Sequence, residues 1–431
     1  MPSGLDVIAR ARRTVRSKGG DLIRRWGWLP GGVPDGIGDD AELLGTRLDA
    51  RVVVYYAGTE RNLYQLRQWY APLVALGEHV PVLLMCADSR VGRVLRDEAP
   101  LPSVTVGRFA TIDDLVSRSD VAMFCYVGHE APNFQVLRVT SALHVYLTHG
   151  ESDKLMSVTN QVKAYDYVFV AGQGTIDRFA EHVLRFDAER HVRTIGRPQL
   201  DAVTPGPRER AEGEPWTVLY APTWEGAQGT SEYSSVVSHG QRIVDAVLAD
   251  PRLRLVYRPH PRTGANRADF EAADRAVRAR LAASGGRGRL DPERDPVDSF
   301  AHADVLVSDV SAITLDWLAT GRPLLVTEPA SATTVVARTR LLDEVPRVPA
   351  DGVEGLAERI VHELEADPGR AARTGLWDYY FGERALGTGT QRFVRASLDV
   401  VAERDELATR RADRPSAPPP ADGDDARGAL A

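Results

Sequence analysis

Two histidines stand in settings that packing alone explains poorly. His260 closes the run Arg-Leu-Arg-Leu-Val-Tyr-Arg-Pro-His-Pro over 252–261, which reads as a strand ending in a cation, an imidazole and two prolines. Held between prolines beside Arg258, that ring has few backbone donors near it, and a phosphate oxygen suits both groups. A surface ion pair is the other use open to Arg258. His149 lies in Thr148-His149-Gly150, five residues before Lys154. An imidazole titrating near neutrality can take a proton from a hydroxyl, whereas a plain strand-end histidine would be held by backbone. Lys154 suits a substrate phosphate or a solvated salt bridge. The apolar run Val305–Val307 leads into Ser308-Asp309-Val310-Ser311. Ser311 is a good N-cap, and a helix starting there would offer unpaired N–H groups to phosphate. Asp309 would orient that turn or a ribose. In Tyr220–Gly226, Thr223 and Trp224 would line the same corner, unless Trp224 plugs an interdomain floor. A basic corner and a helix-start corner together suggest a diphosphate site. His129, His144, His182, His191, His239, His302 and His362 lack such settings and are expected to be structural or exposed.

These groups need a scaffold. The 431 residues exceed one ordinary core and suit two domains. With 43% hydrophobic and 26% charged residues the composition is that of a globular protein, and a net charge of −7 argues against a nucleic-acid partner. Cys86 and Cys125 lie in apolar runs, so reduced core thiols and a cytosolic setting are expected rather than disulfides or zinc. No Asp/Glu/His spacing signals any other metal, and no cofactor is implied. No run is long enough for a membrane span, and the N-terminus lacks a signal-peptide core. Residues 1–30 carry seven cations against Asp6 and Asp21, a local balance of +5, with Trp26 and Trp28 beside them. Such a leader, within residues 1–50, would touch an anionic membrane surface or remain a solvated disordered segment.

From Arg51 onward, buried β-rich runs alternate with amphipathic stretches, which predicts parallel sheets covered on both faces. Strands are expected at 52–56, 80–85, 121–126, 144–147 and 167–170, and helices at 62–76, 90–98, 111–117 and 175–184. The Pro-, Gly- and charge-rich segment 201–215 reads as a linker. The pattern restarts with strands at 217–220, 253–257, 305–307 and 323–327, and helices at 236–249, 267–283, 311–319 and 353–365. The architecture expected is α/β, two doubly wound Rossmann-like domains (51–205 and 216–408, the second with a closing helix) facing a cleft. A disordered tail over 409–431 is expected to follow.

Taken in order from Val52 to Arg392, the segments Thr148-His-Gly150 with Lys154, Gly196–Asp201, Tyr220–Gly226, Arg258–Pro261, Ser308–Ser311, Tyr380–Gly382 and Gly389–Arg392 resemble the CDP-glycerol glycerophosphotransferases. These are the teichoic-acid primases and polymerases with a GT-B fold. Thr148 stands where that family has an aromatic residue, and Asp309-Val-Ser-Ala312 where it has Asp-Tyr-Ser-Ser. The resemblance implies a GT-B fold and a CDP-glycerol or CDP-ribitol donor. It further implies a lipid-linked or polymer hydroxyl as acceptor, a place on the inner face of the cell membrane, and His149 as the acceptor-side base. Two other readings stay open. One is a GT-B enzyme using another donor (a capsular polysaccharide or sugar-phosphate transferase, or a nucleotide-sugar epimerase), and the other is a non-catalytic binding subunit.

Overall fold

The computed structural model describes residues 34–148, 150–151, 159–226, 232–293, 295–330, 334, 338–384 and 387–413. His149, Lys154, residues 1–33 and the tail from 414 lie outside the described residues.

The first sheet contains β1 (Val52–Tyr56), β2 (Val82–Cys86), β3 (Ser103–Thr105), β4 (Met123–Tyr126), β5 (Leu143–Tyr146), β6 (Tyr167–Val170) and β7 (Val192–Thr194). All its pairings are parallel, in the order β3-β2-β1-β4-β5-β6-β7. Alternation along β1 puts Val53 and Tyr55 in one core layer and Val52, Val54 and Tyr56 in the other, so both faces are dry. The second sheet contains β8 (Trp216–Ala221), β9 (Leu253–Tyr257), β10 (Gly288–Leu290), β11 (Val305–Ser308), β12 (Leu324–Thr327) and β13 (Arg347–Val348), also parallel, in the order β10-β9-β8-β11-β12-β13. Each order reverses once, between β1 and β4 and between β8 and β11. Connections diverge there, and a crevice opens beyond the strand ends.

The expected α/β pair of doubly wound sheets is therefore present. Four short edge-ward strands (β3, β7, β10 and β13) were too brief to announce themselves by periodicity. The helix expected over 62–76 is broken into a 3-10 turn, Tyr64–Arg67 and Tyr70–Gly77. Pro72 explains the restart, because its missing N–H is harmless only within a first turn. Residues 34–50, read from sequence as leader, are fastened to the first sheet. Asp35 accepts hydrogen bonds from the Ser89 amide and hydroxyl at 2.9 and 2.6 Å, and the Asp39 amide donates to Thr105 at 2.8 Å. The closing helix, Gly389–Ala412, crosses back to the first sheet, where Phe393, Val400 and Val401 join Trp69 and Phe169 in one core layer.

Candidate active site

The strand ends of the two sheets approach each other. A Cβ built on Gly150, just past β5, would lie 3.4 Å from the Cβ of Ala312, at the start of the helix Ala312–Asp316. Beyond β6, Gly172 is pressed on the Tyr380 backbone, where a Cβ would come within 2.5 Å of the carbonyl oxygen. Beyond β7, Arg197 Nε donates to Asp316 Oδ1 at 3.1 Å and Nη2 to Gln68 at 3.0 Å. The two halves thus meet at the ends of β5, β6 and β7. The ends of β1 and β4 continue along the same rim of the first sheet.

On the C-terminal side the hub is Asp309, fully buried at the β8/β11 reversal. Its Oδ2 accepts from the amides of Thr223 (2.7 Å) and Ser235 (3.2 Å), and Oδ1 from the Thr327 hydroxyl (2.5 Å). Burial raises its carboxyl above the ordinary range, and the bonds from Ser235, Thr327 and Thr223 oppose that rise. Of the two uses open to Asp309, the turn is the one the geometry gives: it ties the loops after β8, β11 and β12 together. Thr223 belongs to the same knot through its amide, and its carbonyl accepts from Ser234 Oγ at 2.7 Å. Ser311 occupies the N-cap position, but its hydroxyl makes no capping bond; it turns inward to the Asp309 carbonyl (3.2 Å) and Thr314 (3.1 Å). The first amides of the helix are therefore left without their side-chain cap, on the rim facing Gly150.

His260 is half-buried at the end of β9. Its Nδ1 accepts the Arg262 amide at 3.1 Å, so the neutral ring carries its hydrogen on Nε2. Trp224 lies alongside, with ring centroids 6.2 Å apart and planes 24° from parallel, and the Arg262 guanidinium sits 3.8 Å over the indole. Arg258 takes part in an ion pair, one of the two uses its sequence setting left open. Its Nη1 donates to Asp291 Oδ2 (2.8 Å), the Glu293 carbonyl (2.9 Å) and Ser299 Oγ (2.9 Å), in a mostly buried ion pair. The cation beside the histidine and tryptophan is Arg262, one residue past the proline-flanked motif. Sequence reading also passed over Glu225, whose buried carboxylate accepts the amides of Gly264 (3.0 Å) and Asn266 (2.8 Å) and holds the loop after His260 against Trp224. An acid directly after that tryptophan was the available signal.

On the N-terminal side, the backbone entering residue 149 is strained: Thr148 has φ +59°, a region β-branched residues avoid. The Trp69 indole N–H holds it there, donating to the Thr148 carbonyl at 2.9 Å. Glu151 is buried against Arg178, whose guanidinium burial holds below its ordinary pKa. Other quoted motifs turn out to be joints. The Asp201 carboxylate accepts the amides of Gly389 (2.8 Å) and Thr390 (2.7 Å), capping the closing helix. Gly196, at φ +71°, lies where a Cβ would collide with Arg392. His144 is structural, as expected, bonded to Tyr126 and to the Val139 carbonyl, both at 2.8 Å.

The same two-sheet arrangement occurs in solved GT-B structures. The wall teichoic acid polymerase TagF, soaked with CDPG, aligns over 94% of this chain and all of its own at 13% identity and a TM-score of 0.55. A putative UDP-N-acetylglucosamine 2-epimerase from Listeria monocytogenes aligns over 84% of this chain and 98% of its own, at 13% identity and a TM-score of 0.54. A glycosyltransferase from Rickettsia africae ESF-5 aligns over 82% and 98%, at 11% identity and 0.50. At such identities the likeness establishes the fold, which is GT-B. A comparison with curated proteins finds no match. The sequence profile described as CDP-glycerol:poly(glycerophosphate) glycerophosphotransferase matches residues 133–365, more than half of the chain. That span holds the strand ends after β5, β8, β9 and β11 whose geometry converges on the cleft, and the chain belongs to this transferase family.

Proposed function

We infer that the protein transfers a polyol phosphate from CDP-glycerol, or from CDP-ribitol, to a hydroxyl of a lipid-linked or polymeric acceptor in teichoic-acid synthesis. The observation that carries this reading is the approach of the Gly150 corner to Ala312. Gly150, the neighbour of His149 in sequence, meets the helix start that follows Asp309, and this supports a place for His149 at that corner. In this scheme the acceptor hydroxyl attacks the phosphorus that bears glycerol, and His149 takes its proton. The bond from that phosphorus to the bridging oxygen breaks, and CMP departs with the electron pair. The amides after Ser311, the His260 Nε2–H and Arg262 stabilise the charge gathering on the leaving phosphate, where preorganised donors act most strongly. Trp224 offers a flat face to the nucleoside. Lys154, outside the described residues, contributes a cation on the acceptor side. Asp309, Thr223 and Arg258 hold this corner in shape without touching substrate.

The test is incubation of pure protein with CDP-glycerol or CDP-ribitol, with and without a poly(glycerol phosphate) acceptor, followed by CMP release. Acceptor-dependent CMP supports the reading, and the faster donor identifies the polyol. CMP from neither donor overturns it. We further propose that the +5 leader holds the enzyme peripherally on the inner membrane face. Among the described residues no helix is long and apolar enough to cross a membrane. Each cation near an anionic surface contributes on the order of 1 kcal/mol, so deleting residues 1–30 should release the protein from anionic vesicles. Equal sedimentation of the two forms would reject the leader as anchor.

A further inference from the structure

Strand order creates two crevices on this cleft, and the donor reading occupies the one between β8 and β11. The other lies beyond β1 and β4. There the chain leaves β4 through Val127-Gly128-His129-Glu130, a tightly built turn. Asn133, 1% exposed, donates through Nδ2 to the Gly128 carbonyl at 2.7 Å and to the Tyr165 hydroxyl at 3.2 Å. A Cβ on Gly128 would come 3.1 Å from Gln65 Oε1, so the turn is pressed against the helix that follows β1. His129, read from sequence as structural or exposed, stacks on Tyr146 at the end of β5, with centroids 3.9 Å apart, and Tyr165 extends the stack 5.2 Å further on.

Glu130 follows, half-buried. Among the described residues no cation or hydrogen-bond donor meets its carboxylate. Its Oε1 lies 3.9 Å from where a Cβ on Gly128 would stand, so the carboxylate sits over the turn that leaves β4. Burial lifts its carboxyl above the ordinary range. Such a group left without a partner is costly and calls for a ligand that brings donors. A phosphate would be repelled. Hydroxyls would be welcomed, and the face of a stacked ring suits the carbons that carry them.

We propose that Glu130 is an acceptor-specificity residue, its carboxylate taking hydrogen bonds from the hydroxyls of the acceptor's terminal polyol while the His129–Tyr146 stack packs against the polyol carbons. The inference rests on the transferase reading above. Repulsion between this carboxylate and the donor diphosphate also keeps the two substrates in their own crevices.

The experiment compares wild type, Glu130→Ala and Glu130→Gln on two poly(glycerol phosphate) oligomers. One ends in glycerol; the other ends in propane-1,3-diol and lacks the secondary hydroxyl. Hydrogen bonds to a charged group predict an acceptor KM raised on the order of ten- to a hundredfold in Glu130→Ala, with an intermediate rise in Glu130→Gln. Wild type should prefer the glycerol end, and Glu130→Ala should lose that preference. CMP affinity by calorimetry should stay within a factor of two or so, and Tm should stay level or rise, since no partner is lost. An unchanged acceptor KM in a wild-type background that transfers would overturn the assignment of Glu130 alone. A fall in Tm together with lost CMP affinity would mark the residue as structural and overturn it too. Absence of CMP release by wild type from either donor overturns the transferase reading and this one with it.

Discussion

His260 and Arg258 are two residues apart, yet they make different contacts. The His260 ring is oriented by the Arg262 amide, so a donor Nε2–H is preorganised at the end of β9. A donor aimed at charge that develops in the transition state contributes to kcat more than to binding. His260→Ala should therefore lower kcat roughly a hundredfold or more and move the donor KM little. Steady-state kinetics at varied CDP-glycerol would show it, and unaltered constants would reduce the Pro-His-Pro run to a rigid turn. Arg258, by contrast, faces Asp291 and Ser299. Arg258→Ala should cost about 3–5 kcal/mol of stability, because it strands a buried carboxylate. CMP affinity of the folded fraction should hold. Urea denaturation beside calorimetry separates the two effects, and a loss of CMP affinity without loss of stability would return Arg258 to the phosphate.

At the level of elements, the site consists of strand ends whose turns are pinned by buried polar side chains. Asp309 does this beyond β11, Asn133 beyond β4, and Asp88 beyond β2. Asp88 caps the helix Ser89–Glu98, accepting the amides of Arg90 (2.9 Å) and Val91 (3.2 Å) and of Asp35 (3.0 Å). Burial by itself would raise its carboxyl, but bonds from Arg90, Val91 and Asp35 hold it below its ordinary value of 3.8. A carboxyl lowered in the folded state stabilises the fold above that value and loses its contribution as pH falls through the folded pKa. Asp88→Ala should cost about 2 kcal/mol at pH 7, and the gap between variant and wild type should close below about pH 4. Denaturation midpoints over that range would check the sign, and a gap that widened in acid would refute it.

At the scale of the molecule, the two sheets are joined by more than a linker. Arg197 and Asp316 form a nearly buried ion pair between the domains, and the closing helix returns to the first sheet. Burial pushes the Asp316 carboxyl up, with Arg197 opposing. Arg197→Ala leaves that carboxyl unpaired and should cost about 3–5 kcal/mol, while Arg197→Met with Asp316→Leu should recover most of it. Both variants should bind CMP, since the corner after β8, β9 and β11 is intact. Both should transfer more slowly, since the approach of Gly150 to Ala312 depends on this joint. Thermal melts with transfer rates would test the pairing. Full transfer in the stable double variant would show that the contact does not set the cleft.

Local pattern was enough to identify β1, β5, β6, β9, β11 and β12, because burial on both faces and turn chemistry are written in neighbouring residues. It also carried the family, since those motifs lie within single strand ends. What neighbours cannot encode is partnership at a distance. Sequence left Arg258 open to a phosphate or an ion pair, and its ion-pair partner, Asp291, lies 33 positions away. Arg197 meets Asp316 across 119 positions, and Asp201 caps a helix 188 positions on. The apolar face of that helix is visible in sequence, but which sheet it covers is not. Glu130 is the plainest case: its sequence context is unremarked, and only the strand order, which puts β4 beside β1, sets it at the mouth of a crevice.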